Sequence, residues 1–390
     1  MKIFVFPSVY PNDVNSNFGM YVHNQCKGLV ELGHEIIVLD ASGYNYNYWN
    51  HSSIKGIHNY EKDGVKIYST HYRDLMNTRL PYYSIKKYML GLKKIFKIAL
   101  RENGRPDLLH AHFSHIAGYG AYNISCETGI PYVVTEHHSL LLHVHINPII
   151  KKNLKLVVDN SNAFICVSEQ LKNAVTFHVN TSKNIKVVPN MISKKFQYEE
   201  NVVNKPFIFF SAGNLVKNKR FDYLIDAFVA AVGKEENVLL KIAGSGAEME
   251  NLTRKIQLYG RTHQIKLLGA LSQIDMVEQY KRSNCFLSAS LYETFGIVYR
   301  EALAIGRPVV ATRNKGIEEG WDTSFGKLVD PNNIQELSES IKGIMSDIGT
   351  FDSYNISKQC LDSFSEGVIL TKIEDIYKEI KNDDLLKGRV

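Results

Sequence analysis

The sequence has no run of about 18 apolar residues, so no helix able to span a bilayer is expected. It has five cysteines, Cys26, Cys126, Cys166, Cys285 and Cys360, an odd number, widely spaced and without a Cys-x-x-Cys pair. That argues against a disulfide framework and a zinc ribbon and fits a reducing compartment, so a cytoplasmic protein is expected. No Asp-x-Asp occurs, so a magnesium-bridged diphosphate on such a motif is not expected. No low-complexity segment is present. The opening MKIFVFPSVYPN has a short apolar run and no small-residue cleavage site, and reads as a first strand rather than a secretion signal.

What is present is 390 residues, 44% hydrophobic and 22% charged, a globular composition in a chain too long for one ordinary core. The net charge of +6 is unevenly placed. Residues 1–200 hold 22 Lys and Arg against 15 Asp and Glu, and residues 201–390 hold 24 against 25. Within the first half, residues 71–105 hold nine basic and two acidic residues, so the excess is one local feature.

Short apolar runs alternate with helical patterns. Ile3–Phe6, Glu35–Leu39, Leu108–His112, Tyr132–Thr135, Ala163–Val167 and Ile185–Val188 read as buried parallel strands. The polar, aperiodic stretch 192–206 reads as a linker. The pattern then restarts, with strands at Phe207–Ala212, Val238–Ala243, Ile265–Leu268, Cys285–Ser288, Val309–Ala311 and Lys327–Val329. Helices are expected at Phe221–Val232, Met249–Tyr259, Ile274–Arg282, Ile297–Ile305 and Ile334–Met345. The expected fold is α/β, two tandem Rossmann-like domains over 1–195 and 205–362, with ligand sites at their carboxyl strand edges across a shared cleft.

The sharpest motif is Glu293-Thr-Phe-Gly-Ile-Val-Tyr-Arg-Glu301, followed by Ala-Leu-Ala-Ile-Gly306-Arg-Pro-Val-Val. Thr294, Phe295 and Gly296 run into a helix that starts at Ile297. Free amides and the positive end of the helix dipole there suit a diphosphate. Glu301 is positioned to accept hydrogen bonds from two neighbouring ribose hydroxyls. The plainer alternative is that both glutamates only complement the helix dipole.

This stretch closely resembles the E-x7-E motif of the family-4 retaining glycosyltransferases, which have the GT-B fold. The likeness runs through the C-terminal half. Ser211-Ala-Gly213-Asn214-Leu-Val-Lys-Asn-Lys219-Arg220-Phe-Asp222 is similar to that family's phosphate-binding strand and loop. Ala243-Gly244-Ser-Gly246 resembles its second glycine loop, and Lys315-Gly-Ile-Glu-Glu319 the loop that closes over the base. The resemblance implies that Glu293 contacts the donor sugar, Glu301 the ribose, and Lys219 the diphosphate. A leaving nucleoside diphosphate gains negative charge as the glycosidic bond breaks, and fixed cations and amides aimed at it lower the barrier. The plain alternative for Lys219 is a solvated surface lysine. One departure is Asn214, where the family usually has arginine; asparagine hydrogen-bonds a phosphate but does not pair with it ionically. Lys217 and Arg220 are the candidate replacements.

In the first half, Tyr10-Pro-Asn-Asp-Val-Asn-Ser-Asn-Phe-Gly19 resembles the family's glycine-rich loop, reduced to the single Gly19. Seven of the fourteen histidines fall within residues 110–145, including His110, His112, His137 and His138. No H-E-x-x-H or carboxylate spacing supports zinc there. The resemblance implies that His137, after a strand, lies by the donor sugar and acceptor, either orienting the attacking hydroxyl or taking its proton. Glu136 is a secondary candidate. The alternative is a histidine hydrogen-bonded inside a loop.

Ser84–Arg101 interleaves Ile85, Met89, Leu92, Phe96 and Ala99 at helical spacing with Lys86, Lys93, Lys94, Lys97 and Arg101. It reads as a core helix with a solvated charged face, or as an interfacial helix against anionic lipid. Nucleic-acid binding is not expected. Residues 363–390 form a last helix that, by resemblance, returns to the N-terminal domain.

The expected enzyme is a retaining, metal-independent hexosyltransferase without a cofactor. It would take a nucleotide-sugar donor, UDP-linked by preference, and a saccharide or lipid-linked acceptor, in bacterial surface polysaccharide assembly. A nucleotide-sugar epimerase of this fold and a silent nucleotide-sugar-binding or scaffold protein are the rivals.

Overall fold

The computed structural model describes residues 1–12, 19–44, 55–73, 81–203 and 205–386. The chain divides into two compact units, Met1–Met191 with Ile369–Val390, and Ile192–Val368.

The first unit runs β1 (Lys2–Pro7), α1 (Met20–Glu31), β2 (Glu35–Asp40), β3 (Gly43–Tyr44), β4 (Ile57–Lys62), β5 (Val65–Thr70), β6 (Tyr72–Arg73), α2 (Pro81–Asn103) and β7 (Leu108–His112). It continues through α3 (Tyr119–Thr128), β8 (Tyr132–Glu136), α4 (Pro148–Asn160), β9 (Ala163–Cys166), α5 (Glu169–Val179) and β10 (Lys186–Val187). The main sheet is ordered β10-β9-β8-β7-β1-β2-β5-β4. Only its β4–β5 pairing is antiparallel. Strands covered on both faces need apolar residues without alternation, and Ile3, Phe4, Val5 and Phe6 are all buried. The order reverses between β1 and β7, the switch point where an open sheet leaves a crevice beyond its carboxyl edge. His112 ends β7, and His137 directly follows β8.

The sequence reading missed the β4–β5 hairpin. Its turn is Asp63-Gly64, with φ 51 and 76, a pair suited to two left-handed residues. That signal was present, but β4 (IHNYEK) is mostly exposed and carries almost no apolar pattern.

The second unit runs β11 (Phe207–Ala212), α6 (Phe221–Val232), β12 (Val238–Ala243), α7 (Met249–Leu258), β13 (Ile265–Gly269), α8 (Gln273–Arg282), β14 (Cys285–Ser288) and α9 (Ile297–Ile305). Then follow β15 (Val309–Thr312), α10 (Lys315–Glu318), β16 (Gly326–Val329), α11 (Ile334–Asp347) and α12 (Ser353–Phe364). Its all-parallel sheet is ordered β13-β12-β11-β14-β15-β16, so the reversal lies between β11 and β14. The loops after β11, β12, β14 and β15 therefore leave one carboxyl edge around that switch point.

Stretch 192–206, expected as a linker, is tied to the second unit along much of its length. Ile192 donates its amide to Phe364 at 2.8 Å, and Phe196 is buried. The fully buried Arg307 guanidinium donates to the carbonyls of Glu199 and Glu200 as well as Tyr280 and Lys281. The last helix, α13 (Glu366–Leu386), belongs from Ile369 onward to the first unit. There Ile369, Ile373, Ile376, Tyr377 and Ile380 share a core with Ile3, Val22 and Val38.

Candidate active site

In the second unit the loop after β11 carries Gly213, the exposed Asn214, and a single 3-10 turn, Lys217–Lys219. The loop after β12 packs against it backbone to backbone. Leu215 donates to Ser245 at 2.9 Å, and Glu248 donates to Leu215 at 2.9 Å. A Cβ at Gly244 would stand 1.9 Å from the Gly213 carbonyl oxygen. Gly244 is thus required by the approach of the two loops themselves.

Lys219 makes an ion pair through Nζ with Oε1 of Glu293, which lies in the loop after β14. Both side chains are only partly exposed, at 22% and 13%. The sheet reversal brings together two charges 74 positions apart in sequence. Arg220 takes a different course. It occupies a left-handed position (φ 50) at the start of α6, its guanidinium 3.7 Å over the Tyr223 ring and hydrogen-bonded to the Pro331 carbonyl. It therefore does not join the Lys219–Glu293 pair.

Thr294, Phe295 and Gly296 lead into α9, as the sequence suggested. Gly296 is left-handed (φ 74), no side chain caps the helix, and no acid lies in its first turn. α9 begins at Ile297, so Glu301 falls in its second turn. Dipole compensation, which fades beyond the first turn, therefore does not explain it. The Tyr280 hydroxyl lies 3.0 Å from Glu301 Oε2 and 3.0 Å from the Val298 carbonyl. Burial pushes the Glu301 carboxyl up to about 7, against the Tyr280 hydrogen bond that favours the anion. One hydroxyl proton cannot serve both acceptors fully. A protonated Glu301 donates to the Tyr280 oxygen, and an ionised one accepts from the Tyr280 hydroxyl in competition with the Val298 carbonyl.

The turn after β15 is held flush against this loop. Asn314 donates to Ser290 at 3.1 Å and to the Tyr299 hydroxyl at 3.2 Å, and accepts from the Ile317 amide. Arg300, fully buried over the rings of Phe295 and Phe364, donates to the carbonyls of Ile317 and Glu319. A Cβ at Gly316 would lie 2.5 Å from the Glu293 carbonyl oxygen and 2.6 Å from its Cβ. Gly316→Ala is expected to displace Glu293. Alanine favours the helix by about 1 kcal/mol, but overpacking costs about 1–3 kcal/mol. Thermal melts should show a net loss of stability, and donor turnover should fall by about ten-fold.

In the first unit Gly19 precedes α1 with φ 83, its Cα facing the carbonyl of Val9. Residues 13–18 of the suggested glycine-rich loop lie outside the described residues. His137 is buried, and its Nε2 lies 3.0 Å from His112 Nδ1. Burial pushes it down to about 3. Glu136 is satisfied. Oε1 accepts from the amides of His137 and His138 at 2.8 Å each, and Oε2 from the amide and hydroxyl of Ser114. With four donors on one buried carboxylate, Glu136 fixes the loop rather than facing a reactant. Among the described residues no group of three or more His, Cys, Asp and Glu is arranged to hold a metal ion.

The family described as Glycosyltransferase Family 4 matches residues 19–196, and that described as Glycosyl transferases group 1 matches residues 193–355. The chain is a family-4-type glycosyltransferase. An uncharacterized glycosyltransferase of Methanocaldococcus jannaschii is 28% identical over 343 residues, 87% of each chain. A putative teichuronic acid biosynthesis glycosyltransferase of Bacillus subtilis is 23% identical over 362 residues, 87% of this chain and 88% of its own. Among solved structures, sucrose-phosphate synthase from Thermosynechococcus elongatus superposes with a TM-score of 0.81 at 17% identity, over 97% and 99% of the two chains. HepE of Anabaena in complex with UDP and glucose gives 0.74 at 18% identity, over 97% and 100%. The two Rossmann-like domains are those of the GT-B fold.

Several residues around the glycosyltransferase motif went unread in the sequence. Tyr280 holds Glu301 from α8, Arg300 holds the turn after β15, and Asn314 links that turn to Tyr299. Arg300 was visible as a charge inside an otherwise apolar helix segment. Tyr280 gave no signal, because an aromatic at helical spacing reads as core.

Proposed function

We propose that this glycosyltransferase moves a hexose unit from a nucleoside diphosphate sugar, UDP-linked by preference, to an acceptor hydroxyl with retained anomeric configuration and without a metal. One observation carries the reading: Lys219 and Glu293 meet beside the uncapped, Gly296-led amino end of α9. Lys219 is the cation for the leaving diphosphate, and the first amides of α9 are its backbone donors. Glu293, relieved of Lys219 by the incoming phosphate, accepts from the sugar hydroxyls. Glu301, ionised, accepts from the ribose. Retention is supported by the work the carboxylates already have. Glu293 is given to the sugar hydroxyls, Glu301 is hydrogen-bonded to Tyr280 and given to the ribose, and Glu136 is saturated, so none is set as a nucleophile for double displacement. Front-face attack, with the departing phosphate oxygen taking the acceptor proton, fits this arrangement. The UDP preference draws support from the UDP and glucose bound to HepE.

The test is slow hydrolysis across a panel of UDP-, GDP- and ADP-sugars. Release of sugar from one donor class, with the α-anomer kept from an α-donor, is expected. A free altered nucleotide sugar would mark an epimerase, and no turnover of any donor would mark a silent binding protein.

We place the acceptor in surface polysaccharide assembly, at an anionic membrane surface inside the cell. The teichuronic acid relative supports the pathway, and α2 supports the surface. Its exposed face carries Lys86, Lys94, Lys97 and Arg101 with Tyr83 and Leu90, while Ile85, Leu92, Phe96 and Ala99 are buried. No helix among the described residues is long and apolar enough to cross a membrane. Flotation with vesicles containing anionic lipid is expected to carry the protein upward. The Lys86→Glu, Lys94→Glu, Lys97→Glu triple variant should stay behind, and equal flotation of both would remove the membrane reading.

A further inference from the structure

Three imidazoles form a column beside the carboxyl edge of the first sheet. His110 and His112 stack with ring centroids 4.4 Å apart and planes at 26°, and His112 and His137 follow at 5.3 Å and 23°. His110 is satisfied at both nitrogens: Nδ1 lies 2.6 Å from the Tyr377 hydroxyl and Nε2 lies 2.8 Å from Thr135 Oγ1. The other two rings share one hydrogen bond, His112 Nδ1 to His137 Nε2 at 3.0 Å. Their outer nitrogens, His112 Nε2 and His137 Nδ1, have no partner although both rings are buried.

All three rings are neutral. Burial pushes His110 and His137 down to about 3 and His112 well below its ordinary range, and the neighbouring rings add to the shift for His112 and His137. A neutral pair sharing one hydrogen bond has two tautomeric arrangements. In the first, His112 donates Nδ1–H to His137. The leftover N–H is then at His137 Nδ1, and the leftover lone pair is at His112 Nε2. In the second, His137 donates and the leftover N–H is at His112 Nε2. Orphaned buried N–H groups are rarer than under-satisfied acceptors. His112 is 0% exposed and His137 is 8% exposed, so the first arrangement puts the unpaired proton on the less enclosed residue.

We propose that His112 is a positioning residue that donates Nδ1–H to His137 Nε2 and so fixes His137 as a neutral Nδ1–H donor toward a substrate oxygen. His137 then orients a hydroxyl or phosphate oxygen and does not act as the base. This rests on the glycosyl-transfer reading above, and it decides between the two roles that the sequence leaves open to His137.

The test uses the full chain labelled with 15N histidine. Long-range proton–nitrogen correlation separates protonated from bare ring nitrogens, and a His137→Gln sample assigns the signals. The expected result is a protonated Nδ1 and a bare Nε2 on His137. In His112→Phe, which keeps a stacking ring without the donor, the Nε2–H tautomer of His137 should appear. Turnover should fall by about ten-fold or more, the worth of one hydrogen bond to a charged or reacting group, with donor KM little changed. His112→Asn, whose amide nitrogen stands in for Nδ1, should restore both the tautomer and most of the turnover. His112→Gln, which reaches toward the Nε2 position instead, should not. A bare Nδ1 on His137 in the unaltered protein overturns the proposal, as does an unchanged His137 tautomer in both His112→Phe and His112→Gln. The nitrogen spectra need no turnover, so they judge the proposal separately from the donor panel, which judges the reaction.

Discussion

Lys219→Met is expected to lower turnover by about 100- to 1,000-fold, the range for removing one group aimed at developing transition-state charge. The argument starts from the ion pair. Without donor, Lys219 and Glu293 neutralise each other in a partly buried setting. Binding of a diphosphate gives Lys219 a stronger partner and leaves Glu293 free to accept from sugar hydroxyls. Methionine keeps the stem, which packs within 4.0 Å of a Cβ position at Gly213, and removes only the charge. Glu293 is then left without its cation, so stability should also fall, by about 1–3 kcal/mol. The Lys219→Met, Glu293→Gln double variant separates the two effects. It should regain much of the lost stability, since no unpaired carboxylate remains, and none of the lost turnover. Full recovery of turnover in the double variant would reduce the pair to a structural contact.

Glu301→Gln is expected to make the protein more stable and worse at its task, each in a pH-dependent way. The unfolded carboxyl titrates near 4.5, and burial raises the folded one to about 7. Below pH 4.5 both states hold the proton and the group is neutral in the balance. Between pH 4.5 and 7 the unfolded chain releases the proton while the folded protein keeps it, so stability falls as pH rises. Above pH 7 the full penalty is present, on the order of 3 kcal/mol. Glutamine removes it. Thermal melts at pH 8 should therefore shift upward by roughly 5 °C, with no shift at pH 4.5. Nucleotide affinity should move the other way. An ionised carboxylate accepts from two ribose hydroxyls and an amide oxygen serves them poorly, a loss of about ten-fold in Kd at pH 8. In the unaltered protein Kd should rise as pH falls through 7, since the protonated carboxyl is a weaker acceptor. Calorimetric titration with UDP at pH 6 and pH 8 checks both. A flat pH profile for the unaltered protein together with unchanged melts for Glu301→Gln would contradict this role.

The architecture was legible where burial imposes a pattern. Strands β11, β12 and β14 and helices α6 and α9 fall where the apolar runs put them, because a strand buried on both faces and a helix with one apolar face leave a period in the sequence. The β4–β5 hairpin was not, because an exposed edge strand needs no such period. The glycine at 244 was legible as a loop, but its reason was not. Only the fold shows that it lies under the carbonyl of Gly213. The charges of the site could be named one by one, yet their pairing was hidden. Nothing in a linear reading says that Lys219 meets Glu293, that Glu301 meets Tyr280, or that Glu136 is consumed by Ser114 and two amides. Arg220 shows the converse. It sits next to Lys219 in sequence, and its left-handed backbone sends it to Tyr223 and Pro331.

The position of the β-phosphate in crystals grown with UDP tests the central claim most directly. The account predicts that phosphate within hydrogen-bonding distance of Lys219 Nζ and of the Gly296 and Ile297 amides, with the Lys219–Glu293 contact opened. A β-phosphate bound away from that helix end, with Lys219 and Glu293 still paired, would contradict it.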